Sequence, residues 1–258
     1  MNNTHKLVAT LALSASFAAG TATAGSITEP VWSFANVSIN HLDWSTGTEQ
    51  RTGNNGNRKE DFNYLEVEGG AGYNWGEIYG FYDIENPGRK RENEDGKEKR
   101  IATKGTMHYY LGDSLFSLYA QVYHFNSKPF YETNTVVGLG YRYSNGSGFW
   151  IKPWIGGHYV DSDNGYSGTN GIMAGWVLGY NFKAMDQDFM ITNWHETEFL
   201  RASKYKRVNG NLGMNGAVAL WWNASQHISA GVQYRYANKK LGFDGNNNAM
   251  IYTLKYNF

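Results

Sequence analysis

"NYLEVEGGAGYNWGEIYGFYDI", Asn63 to Ile84, is two runs of alternating residues joined by a tight turn at Tyr73–Gly76. Alternation with a period of two is the pattern of a β-strand with two unlike faces. Four carboxylates, Glu66, Glu68, Glu77 and Asp83, stand in these runs, each beside an apolar or aromatic neighbour. In a soluble sandwich the acids would face bulk water and the apolar residues a core. In a membrane barrel the acids would face a water-filled lumen, while Leu65, Val67, Ala71, Ile78, Tyr82 and Ile84 would face lipid. The rest of the chain has to decide between the two.

The chain has 258 residues, 41% hydrophobic and 16% aromatic, with Tyr 19 and Trp 9 where most globular domains rely on Leu, Ala and Val. Its formal net charge is zero, which offers no basic footprint for a nucleic acid polymer. The absence of cysteine excludes a disulfide framework and thiolate metal sites.

Residues 1–24 read as an export signal. "MNNTHK" is a short charged start and "LVATLALSASFAAG" is the apolar stretch. Ala22 and Ala24 occupy the small-residue cleavage positions, which predicts a mature chain starting near Gly25. Beyond residue 25 no apolar run approaches the roughly 18 residues that a transmembrane helix needs. A helical membrane protein is excluded, leaving a soluble exported protein or an outer-membrane β-barrel.

The C-terminus favours the barrel. In "AMIYTLKYNF", Met250, Tyr252, Leu254, Tyr256 and Phe258 share one face, against Thr253, Lys255 and Asn257. "HISAGVQYRYA" (227–237), "LFSLYAQVYHF" (115–125) and "FWIKPWIGGHY" (149–159) alternate in the same way. About twelve such segments are expected, at 30–43, 60–73, 76–86, 100–111, 115–126, 134–143, 148–160, 170–182, 188–202, 211–222, 227–237 and 248–258, near the ten-residue length of membrane strands. The 188–202 segment is apolar on both faces at its start and reads as a strand with a bulge or an early end. Short connections ("GYNWGE", "LGDS", "SNGSG", "KAMDQD", "NASQ") alternate with six longer polar ones, the rhythm of periplasmic turns and outer loops. The fold class is therefore all-β, an antiparallel up-and-down transmembrane barrel in the Gram-negative outer membrane, forming one domain over 25–258.

"YLEVEGGAGYNWGEIYGFYDI" resembles the hairpin of the Tsx-type nucleoside-specific channels and the related OmpK proteins. That family carries a "YLE-x-E" strand followed by "(D/E)-hydrophobic-YGY-x-D". Tyr64, Leu65, Glu66 and Glu68 match the first part, and Glu77, Ile78, Tyr79, Gly80 and Asp83 the second, with Phe81 in place of the second Tyr. The closing Tyr256-Asn257-Phe258 also agrees. The resemblance implies a twelve-stranded monomeric barrel with a narrow channel. The best-studied relatives pass nucleosides and deoxynucleosides, and others serve as phage receptors or surface antigens.

With the apolar face toward lipid, the lumen is expected to hold Tyr64, Glu66, Glu68, Glu77, Tyr79, Phe81, Asp83, Tyr119, Tyr123, Arg142, Trp150, Lys152, Trp154, His158, Arg235 and Lys255. Such a lining suits a neutral nucleoside, because bases stack on aromatic faces and sugar hydroxyls and base edges pair with charged and amide groups. The same residues equally suit a wall held by ion pairs, with the carboxylates braced against Lys152, Arg142 and Arg235. No cofactor, metal or catalytic residue is expected.

Two other functions fit parts of the sequence. As a surface receptor, the charged loop Arg89–Arg100 would contact lipopolysaccharide phosphates or a phage; charge runs are more usually solvated loops. As a lipid hydrolase, His227 and Ser229 have the His-x-Ser spacing of lipid A deacylases, and Ser144–Gly148 resembles an outer-membrane phospholipase motif with Arg142 in the place of its histidine. Alternation puts His227 and Ser229 together on the lumenal face near a periplasmic turn, away from acyl chains, and a nucleophile without an aligned base is not activated. "HETE" (195–198) is not a zinc motif, and "DSDNG" (161–165) lacks the later acidic ligand of a calcium loop.

Overall fold

A computed structural model describes residues 28–54, 58–91, 97–128, 130–163 and 165–258. The expected export signal lies outside the described residues, as do Asn164 of the calcium-like segment and residues 92–96 of the charged loop.

Twelve long strands follow in chain order: β1 (Trp32–Trp44), β2 (Phe62–Tyr73), β3 (Gly76–Glu85), β4 (Arg100–Tyr110), β5 (Phe116–Asn126), β6 (Tyr131–Tyr141), β7 (Phe149–Ser162), β8 (Tyr166–Ala184), β9 (Gln187–Phe199), β10 (Gly213–Asn223), β11 (Ile228–Lys240) and β12 (Phe243–Asn257). A two-residue piece, Tyr143–Ser144, continues the pairing of β6 with β7. Each strand pairs antiparallel with its neighbour, and β1 pairs with β12 (Asn36 opposite Asn257, Trp44 opposite Ala249). The sheet is thus a closed ring with no free edge, the condition for placing strands in lipid.

The outer wall is apolar and uncovered. Val137 is 65% exposed, Ile39 62% and Leu254 57%, all at outward positions. A band of this kind is costly in water and favourable against hydrocarbon. Aromatic pairs gird its periplasmic end: Tyr73 on Trp75, Phe116 on Tyr141, Tyr180 on Phe182, Phe182 on Phe189, and Tyr256 on Phe258. Rings with one wet and one apolar side collect at membrane interfaces. In the opening hairpin Leu65, Val67, Ile78 and Tyr82 are exposed on the outside, and Glu66, directly opposite Asp83, faces in.

Two features depart from the sequence expectation. Polar stretches expected as loops are partly strand, so that the connections at 127–130, 163–165 and 241–242 are short and β8 runs for 19 residues. Strands that extend beyond the membrane have no need of apolar residues, and their Asn, Asp and Gly content mimics loops. Two long connections hold short helices, α1 (Thr46–Gly53) and α2 (Ser203–Asn209). α1 is started by Ser45, whose hydroxyl accepts from the backbone N–H of Thr48 at 3.2 Å. The 188–202 segment takes the second of its two expected forms: β9 ends early, at Phe199, where Leu200 takes φ 54°, and its pairing with β10 is regular, while register shifts fall at 157–159 in β7 and 238–240 in β11.

Candidate functional site: the lumen

Five lumenal rings lie flat on the wall because a glycine is their cross-strand partner. Trp32 faces Gly72, Phe34 faces Gly70, Trp150 faces Gly179, Trp154 faces Gly175 and Trp221 faces Gly231. A Cβ added at Gly72 would sit 2.1 Å from the Trp32 indole, and one at Gly231 would sit 2.3 Å from that of Trp221. Any side chain there would push the ring off the wall and into the lumen.

On one side the rings form a ladder. Trp32 stacks on Phe34 (centroids 6.3 Å), Phe34 neighbours Tyr79 (6.4 Å) and Tyr79 neighbours Phe81 (6.5 Å). Trp32 and Phe34 are 41% and 40% exposed, leaving ring surface open to the lumen. The ladder rises from the periplasmic end of β1 toward the level of Lys104, which pairs with Phe81 in the register.

Charged side chains run alongside. Lys255 donates to Glu68 at 2.8 Å, and Glu68 also accepts from Tyr79 (2.8 Å) and Asn36 (3.1 Å). Lys152 donates to Glu77 at 2.6 Å, and the Tyr110 hydroxyl donates to the same carboxylate at 3.1 Å. The Lys152 ammonium lies 5.3 Å from the centres of both Trp32 and Trp150, and Lys255 4.4 Å from that of Trp221. Higher up, Lys104 on β4 bonds Glu196 on β9, which also accepts from Gln121 of β5 at 3.1 Å. Trp194 stands between two cations, 6.0 Å from Lys104 and 5.8 Å from Arg235.

The candidate residues thus fall into groups. Glu66 and Asp83 face one another, Tyr123 faces Lys104, and Glu68, Glu77, Tyr79, Phe81, Trp150, Lys152 and Lys255 belong to the ladder and its charged border. Tyr119 and Trp154 stack at 4.7 Å and are buried, as are Tyr64, in an apolar cluster with Leu42, Trp44 and Ile251, and His158, bonded to Asn134 at 2.8 Å. These four fill the interior and present little surface to a solute. Of the three bases expected as braces, Lys152 alone makes an ion pair among the described residues. Arg142 instead stacks its guanidinium on Tyr110 (3.6 Å), and Arg235 borders Trp194. Trp32, Phe34, Lys104, Trp194, Glu196 and Trp221 were not legible as lining residues. The alternation of 30–43 was available for the first two, but the apolar start of 188–202 hid the inward face of β9.

The hydrolase arrangement is not formed. His227 stacks on outward-facing Tyr256, while Ser229 is buried and bonded to Asn223 (2.9 Å) and Asn257 (3.0 Å), so the two do not share a face.

Near the extracellular mouth, Lys59 precedes β2, with its ammonium 4.9 Å from the Trp44 ring and donating to the Leu241 carbonyl at 2.8 Å. Burial, together with the nearby charges of Arg235 and Arg100, pulls its pKa down to about 8.

Comparison with known families matches residues 39–258 to the nucleoside-specific channel-forming protein, Tsx. The chain belongs to the Tsx family. Among solved structures, the NanC porin superposes with a TM-score of 0.52 at 10% identity, over 85% of this chain and 98% of that one, which supports the barrel fold. The outer membrane channel DcaP of Acinetobacter baumannii (TM-score 0.43, 10% identity, 88% and 96% covered) and an outer membrane channel from Pseudomonas putida F1 (0.44, 10%, 92% and 99%) are more distant. This Tsx-family protein is an integral outer-membrane channel for small solutes.

Proposed function

We propose that the solutes are nucleosides, moving along the Trp32–Phe34–Tyr79–Phe81 ladder by stacking their bases while Glu77, Lys152, Glu68 and Lys255 meet sugar hydroxyls and base edges. The observation that carries this reading is the ladder itself, four rings whose successive centroids lie 6.3, 6.4 and 6.5 Å apart. Each stacking contact contributes about 1–3 kcal/mol, enough to favour bases over sugars of the same size. Repeated sites of similar strength let a solute leave as well as enter. The ion-paired border carries both signs, which suits a neutral solute. Its members are positioned by one another, so they have fixed geometry at little cost in ordering. Among the described residues, His227 and Ser229 do not form the pair that a hydrolase reading would need. The ring closes within one chain, β1 on β12, so a monomer is sufficient.

Liposome swelling with adenosine, thymidine and a sugar of equal size tests the reading. The nucleosides should enter faster at low concentration; equal rates for all three would remove the selectivity.

A further inference from the structure

α2 spans the extracellular mouth. Beyond Phe199 the chain turns at Leu200 and is fixed by Arg201, which is fully buried. Arg201 donates to Glu198 at 2.7 Å and to the carbonyls of Gly210 (3.2 Å) and Lys239 (3.0 Å), and Lys240 bonds the same Glu198. The Ala202 N–H donates to Asn170 of β8 at 2.9 Å. From α2 the Tyr205 hydroxyl reaches Glu132 of β6 at 3.4 Å, while Tyr205 itself is buried against Tyr166 and the Arg201 guanidinium. Burial, with Glu198 and Glu132 close by, holds this phenol well above the usual tyrosine range, so it stays a donor. α2 also lies close to β12 and to β8. In a ring of twelve, β6 and β12 are opposite strands. A helix tied to both lies across the opening.

The face of α2 away from Tyr205 is basic. Lys204 and Arg207 are exposed and Lys206 is half-buried, with no ion-pair partner for any of the three among the described residues. Unpaired cations at a narrow opening with low-dielectric walls raise the local concentration of anions.

We propose that α2 is a fixed bar across the extracellular mouth, anchored through Tyr205, that limits solute size, and that Lys204, Lys206 and Arg207 bias passage toward anionic over cationic solutes. This rests on the channel reading and deepens it. Its test uses inorganic ions, so it stands apart from the question of nucleosides. Planar-bilayer recordings in a KCl gradient compare the full protein with a Lys204→Glu/Lys206→Glu/Arg207→Glu variant and with Tyr205→Ala. Charge reversal should move the reversal potential toward that of K⁺, and Tyr205→Ala should raise unitary conductance. The triple change touches surface positions, so it carries the test even if Tyr205→Ala does not fold, as judged by heat-modifiable gel migration. An unmoved reversal potential in the folded triple variant overturns the charge role, and unchanged conductance in folded Tyr205→Ala overturns the bar. Adenosine block recorded on the same channels separates either failure from failure of the nucleoside reading.

Discussion

Lys152 on β7 holds Glu77 on β3 at 2.6 Å, four strands away around the ring. An ion pair drawn between distant strands ties the two walls together and places both charges beside Trp32. The same logic recurs one level up, between Lys104 and Glu196. The lumen is therefore braced by contacts that also border the ladder.

Breaking one member of the lower brace should destabilise the barrel. The Glu77 side chain is 9% exposed and that of Lys152 26%, so Lys152→Met leaves a largely buried carboxylate with only the Tyr110 hydroxyl. A loss of about 1–3 kcal/mol is expected, read by urea unfolding in lipid vesicles. Lys152→Met combined with Glu77→Gln should show a coupling energy of about 0.5–3 kcal/mol; additive losses would mean that the pair is not a brace.

The ladder makes a separate claim. Phe34→Ala or Tyr79→Ala should raise the adenosine concentration needed for half-block of ionic current, by a factor set by the roughly 1–3 kcal/mol of one stacking contact, or about 5- to 150-fold. Tyr79→Phe keeps the ring and loses only the bond to Glu68, so its effect should be smaller. Equal effects of the two Tyr79 changes would point to the hydroxyl rather than the ring.

Gly231 should tolerate no side chain. Alanine there meets the Trp221 indole at 2.3 Å and drives it inward, toward Lys255. Overpacking of this kind costs about 1–3 kcal/mol, and the displaced ring should lower unitary conductance. A Gly231→Ala/Trp221→Ala pair should restore conductance, which single-channel recording can check.

Alternation along the chain made the strands legible, since every membrane-crossing segment must keep one face for lipid. The Glu66/Glu68 and Glu77/Asp83 faces followed directly. α1 and α2 were not legible: one is an eight-residue helix capped by Ser45, the other is held by the partners of Arg201 and Tyr205 rather than by its own sequence. Nor was the choice of cross-lumen partners. Whether Glu77 meets Lys152 or Arg142 depends on the register of every intervening strand, which no local pattern records. The Gly–aromatic pairs were equally hidden, because Gly72 and Trp32 are neighbours only once β1 and β2 are in register.

Lys59 predicts a pH effect at the mouth. Its folded pKa of about 8 lies below the ordinary lysine value of 10.5. Below pH 8 the charged form is held at a cost; between about 8 and 10.5 the unfolded chain binds a proton that the folded protein does not, so stability should rise with pH in that window. The same loss of charge above pH 8 should weaken anion preference. Both trends should flatten in Lys59→Met, measured by thermal unfolding and by reversal potential from pH 7 to 10.

The central claim is that the lumen distinguishes nucleosides by their bases, and solute-specific block in a planar bilayer tests it most directly. Adenosine and thymidine should reduce single-channel current at concentrations well below those of a sugar of equal size, and Phe34→Ala should bring the three curves together. Identical block by all three solutes in the unaltered protein would contradict the account.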